Sequence, residues 1–263
     1  TERVLTEATP EWAFREPSNT AAAETAGDQL TDYIKLGIEH ILSGWDHLAF
    51  VFGLLLLSTR FGEVARLITG STLAHSLTLA LAVLDLVHPR GDAVEAVLAF
   101  SVALVAAEKG WELAGRSRVV PLSIVCGLLA LGAFGLAGAS SLPGLTILGL
   151  ILFSACYFAL VAASDSGWLR ICLTFAFGLV HGFGFAGILV EMTLPQDRLV
   201  PALVGFNVGV EIGQLGVVVL LWPVFILARR FAGLERRRWA AELAAAGLCG
   251  LGLYWLLERA LTL

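Results

Sequence analysis

The sequence predicts an all-α membrane protein, a polytopic bundle of about eight transmembrane helices. Three observations predict this class: 57% of the residues are hydrophobic, only 15% are charged, and the mean hydropathy is +0.82. A soluble domain averages about 25% charged residues, so this chain has too little polar surface to cover a water-soluble particle. We therefore expect the lipid bilayer to be the solvent for most of the chain. The basic residues are few and lie in short loops, so nucleic acid is not an expected partner.

A helix needs about 20 predominantly apolar residues to cross the hydrocarbon core of a bilayer. By that rule the spans are predicted at approximately 33–58, 67–88, 93–114, 119–138, 144–164, 169–192, 199–228 and 239–261. Residues 1–30, which are rich in Pro, Thr, Ala and Glu, predict a polar extracytoplasmic segment ahead of a transmembrane domain at 31–263. Residues 119–164 contain no His, Asp or Glu, so we interpret them as an accessory two-helix hairpin that faces lipid.

The distribution of Lys and Arg predicts the orientation of the spans. The loops at one side hold only Arg90 and Arg198, beside Asp92 and Asp197. The helix ends at the other side hold Arg60, Arg66, Lys109, Arg116, Arg118, Arg170, Arg229, Arg230, Arg236, Arg237 and Arg238. Basic residues flank membrane spans on the cytoplasmic side. Both termini are then predicted outside the cytoplasm, in a multi-pass protein of the bacterial inner membrane.

Polar and ionisable residues recur inside five of the predicted spans. A charged side chain at the centre of a span costs about 2.5–3.5 kcal/mol on insertion scales, so such residues usually mark a functional site. In chain order, these residues are His40, Asp46, His47, His75, Ser76, Glu95, Ser101, Glu108, His181, Asn207, Glu211 and Gln214.

Depth and helical phase predict that several of these side chains meet. The middles of the apolar runs fall close to His47, His75, Ser101, His181 and Glu211, so these residues are expected at one level near the bilayer midplane. On a helix of about 100° per residue, His40 and His47 share a face. A second stripe on one face consists of Asn207, Glu211 and Gln214.

Three histidines and a carboxylate at one depth match the ligands of a divalent transition metal. Neutral imidazole nitrogen suits Zn, Ni, Cu and Fe, whereas an all-oxygen set suits Mg or Ca. Asp46 is either a ligand or the group that holds a histidine in one tautomer. Two structural interpretations stay open: a lone intramembrane histidine often makes an interhelical hydrogen bond, and Glu95 and Glu108 lie near opposite ends of their span, where they can pair with loop arginines.

Two motifs resemble those of the HupE/UreJ family of bacterial membrane proteins, which are regarded as nickel or cobalt permeases. Residues 40–47, His-Ile-Leu-Ser-Gly-Trp-Asp-His, are similar to the first family signature, a His followed after five residues by Asp-His. Residues 177–186, Phe-Gly-Leu-Val-His-Gly-Phe-Gly-Phe-Ala, look like the second, a His flanked by glycines. Further similarity runs through residues 74–79, 94–96 and 206–215.

The resemblance implies uptake of a divalent metal ion, nickel before zinc, cobalt or iron. It implies metal contact at His40, Asp46, His47, His75 and His181. The remaining polar residues of the spans, which are Ser76, Glu95, Ser101, Glu108, Asn207, Glu211 and Gln214, are then expected to support these ligands or to line the pathway.

The residues leave two other functions open. An intramembrane zinc hydrolase would use the same histidines with Ser76, Ser101, Asp46 or Glu211 as base or anchor, although the HExxH and GxSxG motifs are absent. A metal sensor or assembly factor would hold the ion without moving it. No nucleotide-binding motif is present, so transport is expected to depend on ion gradients or on an unseen partner subunit. A homo-oligomer is also open.

Overall fold

Every regular element in the described part of the chain is an α-helix, which confirms the predicted all-α class. The computed structural model describes residues 26–164, 167–191, 196–231 and 233–261. Most of the polar segment predicted at 1–30 lies outside these ranges. In chain order, the helices are α1 (Ala26–Ser43), α2 (Trp45–Leu57), α3 (Phe61–Val83), α4 (Gly91–Leu113), α5 (Val119–Leu136), α6 (Gly144–Ala163), α7 (Gly167–Glu191), α8 (Gln196–Phe231) and α9 (Leu234–Ala260).

Several helices are long and apolar enough to cross a membrane, which makes the chain a multi-pass membrane protein. Among the described residues, α5, α6, α7, α8 and α9 meet this condition, and α1 and α2 together form one further candidate. Helices α3 and α4 have 23 residues each and reach about 34 Å at 1.5 Å per residue. Polar residues interrupt their apolar runs. The count of about eight spans and the orientation stay predictions.

Three helix pairs form most of the bundle: α1 with α8, α3 with α7, and α4 with α9. Glycines bring the first pair into backbone contact, since a Cβ on Gly209 would overlap the Ile34 carbonyl oxygen and lie 3.0 Å from the Gly37 Cα. Gly205 likewise approaches Leu30, and Gly213 approaches Ile38. The contacts advance by four residues in both helices, so α1 and α8 run in the same direction. Small residues at membrane helix crossings serve this close approach.

Replacing Gly209 with valine is expected to lower the free energy of unfolding by about 1–3 kcal/mol, the usual cost of overpacking a closely packed site. The added side chain would separate α1 from α8, because the nearest atoms belong to backbone and cannot rotate away. Thermal denaturation of the purified protein in detergent, followed by circular dichroism, measures the effect.

The control is Gly149→Val on α6, where no neighbouring atom lies within 4 Å of the added Cβ. It should change stability by no more than about 0.5 kcal/mol, as surface substitutions usually do. Equal destabilisation by the two substitutions would show that the α1–α8 crossing does not depend on glycine.

The span predicted at 33–58 is broken, not continuous. Gly44 lies between α1 and α2 with φ −81° and ψ 99°, and the two helices meet at a bend of 75°. A Cβ at Gly44 would lie 2.9 Å from both the His40 carbonyl oxygen and the His47 Nδ1, so glycine is the residue that fits this break. The break places Asp46 and His47 in the first turn of α2, at the centre of the bundle.

The segment at 119–164 forms two helices, α5 and α6, that pack mainly on each other. Most α5 side chains are exposed, including Leu122, Leu129 and Phe134, as expected for a surface that faces lipid. The hairpin is tied to the bundle at its turn, where the hydroxyl of Ser140 donates to the Ala260 carbonyl oxygen at 2.8 Å.

Candidate metal centre

Four histidine rings from four helices lie together inside the bundle. The His47 ring on α2 is 4.6 Å from the His40 ring on α1 and 4.9 Å from the His181 ring on α7, measured between centroids. His75 on α3 stacks against Phe206 at 6.1 Å, and Phe206 is 5.5 Å from His40. His47, His75 and His181 are buried. The fold therefore brings the four predicted histidines into one cluster.

Asp46 lies behind His47 and orients its ring. One carboxylate oxygen of Asp46 is 2.9 Å from the His47 Nδ1 and also accepts the His47 backbone N–H at 2.9 Å. An ionised carboxylate can only accept hydrogen bonds, so the proton of His47 lies on Nδ1 and the lone pair on Nε2. This is the arrangement of carboxylates behind metal-binding histidines.

His75 and His181 each have a polar partner on another helix. The His75 Nδ1 is 3.0 Å from the Asn207 Oδ1 on α8. The His181 Nε2 is 3.3 Å from the Ser101 hydroxyl on α4. Two of the residues predicted to support the histidines, Ser101 and Asn207, therefore contact them.

Three buried imidazole nitrogens in this cluster have no hydrogen-bond partner among the described residues. They are the Nε2 atoms of His40, His47 and His75. Buried polar atoms are nearly always satisfied, and each exception in a native structure calls for an explanation such as a bound ion or water. A metal ion that accepts imidazole lone pairs would explain all three.

The side chains do not already form a closed metal shell. Within the described residues, no three His, Cys, Asp or Glu side chains stand where they could hold one metal ion. The planes of the His47 and His40 rings make an angle of 69°, and those of His47 and His181 make 82°. Such edge-to-face packing does not turn the nitrogen lone pairs to a common point, so binding by three of them requires rotation of side chains.

Phenylalanines enclose the histidines and were not predicted from the sequence. Phe50 lies 5.0 Å from the His181 ring and Phe185 lies 4.3 Å from the His40 ring, while Phe185 and Phe206 stack at 4.2 Å. Phe185 follows His181 by four residues, one helical turn, and this spacing is the signal that could have identified it. These rings supply apolar contacts beside the polar partners of the histidines.

A row of polar contacts continues along the α3–α8 interface. Thr72 donates to the Gln214 side-chain oxygen at 3.2 Å, and Thr69 donates to Glu211 at 2.5 Å. The second Glu211 oxygen is buried and has no partner. Glu211 therefore lies along this row, on the face of α8 that meets α3. The two threonines precede His75 by three and six residues, a helical spacing that could have identified them.

Three further residues predicted to support the site make their described contacts with groups other than the histidine rings. Glu95 pairs with Arg259 at 3.6 Å, and the Ser76 hydroxyl donates to the Thr72 carbonyl oxygen at 2.7 Å. Glu108, the third, belongs to a separate ion network.

Glu108 is fully buried, with 0% of its surface exposed, between α4, α6 and α7. The Tyr157 hydroxyl donates to it at 2.6 Å, and the Arg170 Nε donates to it at 2.9 Å. Arg170 also pairs with Glu63 at 3.5 Å and with Glu112. The pairing of Glu108 with an arginine was one of the two interpretations of this residue.

A family model described as HupE / UreJ protein matches the chain twice, over residues 16–148 and again over residues 137–259. The two matches together cover more than half of the chain and include all four clustered histidines. No curated protein and no solved structure matches the chain.

Proposed function

The chain belongs to the HupE/UreJ protein family, and from this premise we propose that it carries a divalent transition-metal ion, nickel in the first place, across the membrane through the histidine cluster. The family is related to nickel and cobalt. The observation that supports the proposal most directly is the set of three buried, unpartnered imidazole nitrogens on His40, His47 and His75.

The chemistry of these donors favours a transition metal over magnesium or calcium. Neutral imidazole binds nickel, cobalt, zinc or ferrous iron, whereas hard cations take oxygen ligands. The phenylalanines make much of the lining of the cluster apolar, so the ion would depend on the histidine nitrogens and on the nearby Asp46 carboxylate for its stabilisation.

The order of polar groups supports passage of the ion. His40, on α1, would receive the ion from the extracytoplasmic side and pass it to His47, His75 and His181. The row of Thr72–Gln214 and Thr69–Glu211 contacts would then lead it away along α3 and α8. A site that needs side-chain rotation to close suits a carrier, because conduction requires binding weak enough to allow release.

Transport by purified protein in liposomes tests this proposal. A metal-sensitive dye is trapped inside, and Ni²⁺, Co²⁺, Zn²⁺ or Mg²⁺ is added outside with a proton gradient present or absent. We expect nickel to enter faster than into protein-free liposomes, and magnesium to enter at the protein-free rate. Bound nickel that never reaches the dye would contradict transport, and would instead fit an intramembrane hydrolase or a sensor.

A further inference from the structure

Two halves of the chain repeat each other at a constant spacing of 106 residues. Residues 73–79 read Leu-Ala-His-Ser-Leu-Thr-Leu, and residues 179–185 read Leu-Val-His-Gly-Phe-Gly-Phe. The same spacing relates the Phe100-Ser101-Val102 segment of α4 to the Phe206-Asn207-Val208 segment of α8. The helices follow the same spacing, since α3 begins at Phe61 and α7 at Gly167, 106 residues later. The α3–α4 unit and the α7–α8 unit are therefore equivalent.

The repeat makes His75 equivalent to His181, and Ser101 equivalent to Asn207. The structure pairs them crosswise, because His75 of the first half bonds to Asn207 of the second, and His181 of the second bonds to Ser101 of the first. The two hydrogen bonds thus join corresponding positions of opposite halves, although His75 uses Nδ1 and His181 uses Nε2.

The helices that carry the two histidines are aligned in the same direction. A Cβ on Gly178 would overlap the Ser71 carbonyl oxygen, and one on Gly182 would overlap the His75 carbonyl oxygen. The contact advances by four residues on both α3 and α7, so these helices are parallel and their histidines lie at nearly the same level.

The other hydrogen bond of each partner indicates the direction of its bond to the histidine. The Asn207 amide nitrogen donates to the Leu203 carbonyl oxygen at 2.7 Å, so its oxygen faces His75 and accepts a hydrogen bond from the Nδ1 N–H. The Ser101 hydroxyl donates to the Leu98 carbonyl oxygen at 2.6 Å, so its oxygen accepts a hydrogen bond from the His181 Nε2 N–H. A neutral imidazole carries one proton, and the nitrogen without it is the one free to bind a metal.

We propose that Ser101 and Asn207 are matched positioning residues, each of which sets the ring tautomer of the histidine in the opposite half of the chain. His75 then offers Nε2 to a metal, and His181 offers Nδ1. The unpartnered state of the His75 Nε2 agrees with this assignment. The two equivalent histidines thus present different nitrogens, because one half carries serine where the other carries asparagine. The consequence for metal binding rests on the proposed function, but the tautomers do not.

Nitrogen-15 NMR of the histidine rings in purified, metal-free protein tests the tautomers directly. The chain has five histidines, so each signal can be assigned by replacing one histidine at a time. We expect the His75 proton on Nδ1 and the His181 proton on Nε2. Asn207→Leu should change the His75 tautomer and leave His181 unaltered, and Ser101→Ala should do the reverse.

The matched control is Ser154→Ala on α6, since this buried serine also donates to a carbonyl oxygen of its own helix, that of Leu150 at 2.7 Å, and contacts no histidine. It should leave both tautomers unaltered. A His75 proton on Nε2, or a His181 proton on Nδ1, in the wild-type protein would overturn the proposal. This measurement does not depend on whether the variants fold. Unaltered tautomers in both variants would overturn it as well.

Nickel affinity of the same variants separates this proposal from the function on which it builds. Loss of a residue that hydrogen-bonds to a metal-binding histidine commonly lowers metal affinity about 10- to 100-fold. We expect nickel affinity to fall by a factor in this range for Asn207→Leu and for Ser101→Ala. Changed tautomers with unchanged nickel affinity would uphold the positioning role and contradict metal binding at His75 and His181.

Discussion

Replacing His47 with alanine is expected to reduce nickel entry into liposomes to the protein-free rate, while the protein still inserts and keeps its helical content. Nickel affinity should fall by at least about 100-fold. Loss of a residue that only hydrogen-bonds to a metal ligand commonly lowers affinity about 10- to 100-fold, and loss of the ligand itself should cost more. Dye-based uptake and equilibrium binding measure the two effects.

The size of this effect follows from the position of His47 in the cluster. Its ring contacts both His40 and His181, its Nε2 has no partner, and its Nδ1 is held by Asp46. No other histidine of the cluster combines two histidine neighbours with a carboxylate partner among the described contacts. Its loss also leaves Asp46 without the ring that it orients.

His88→Ala is the matched control for this substitution. His88 lies in the loop after α3, where its exposed ring bonds to Asp85 at 2.5 Å, so alanine should leave nickel uptake unchanged. Unaltered uptake by the His47→Ala protein would contradict the assignment of the histidine cluster to transport. Equal losses in both variants would mean that the substitutions act through something other than this cluster.

Replacing Arg170 with methionine is expected to lower the free energy of unfolding by about 3–5 kcal/mol, the typical cost of removing one partner from a buried ion pair. Glu108 would be left inside the bundle with the Tyr157 hydroxyl as its remaining donor. Methionine keeps much of the arginine side-chain volume, so the loss reports on charge more than on packing.

The second substitution Glu108→Gln in the same protein should recover part of this stability, because it removes the uncompensated charge. Residues that contact each other give non-additive effects. The stability loss of the double variant should therefore be smaller than the losses of the two single variants added together. Thermal denaturation of the four proteins in detergent measures this coupling. Additive losses would contradict a direct interaction between the two side chains.

Arg238→Met provides a control on the same scale. Arg238 pairs with Glu242 on the surface of α9 at 2.8 Å, and exposed pairs at this spacing contribute about 0.3–0.5 kcal/mol. We expect its loss to change stability only slightly. A loss as large as that of Arg170→Met would mean that burial of Glu108 does not account for the effect.

The helical class and the membrane location could be predicted from the sequence because they depend on averages over many neighbouring residues. A run of about 20 apolar residues identifies a span whatever its neighbours are. The candidate ligands could also be named, since an ionisable side chain in such a run is costly and stands out. The repeat of residues 73–79 at 179–185 was equally readable and was missed, because it appears only when the two halves are compared.

Other features depend on contacts between residues far apart in the chain. The sequence predicted the depth of Glu211 but not its partner, which in the structure is Thr69 on α3. The sequence allowed Glu108 to pair with an arginine but did not identify Arg170 as its partner, and it predicted residues 33–58 as one span, which the structure breaks at Gly44. The partners of Glu211 and Glu108 depend on how their helices pack against neighbouring helices, whereas the break at Gly44 depends on the close approach of His40 and His47 atoms to that residue.

The amino-acid sequence by itself determined which residues of this protein could bind a metal and that they lie within a membrane. Only the tertiary structure decided that Asp46 holds His47, that Asn207 holds His75, and that Ser101 holds His181. The physical reason is that hydropathy is a sum over local residues, whereas a hydrogen bond needs two atoms within about 3 Å. The two bonds between helices join α3 to α8 and α4 to α7, so they depend on how these helices pack in the folded bundle.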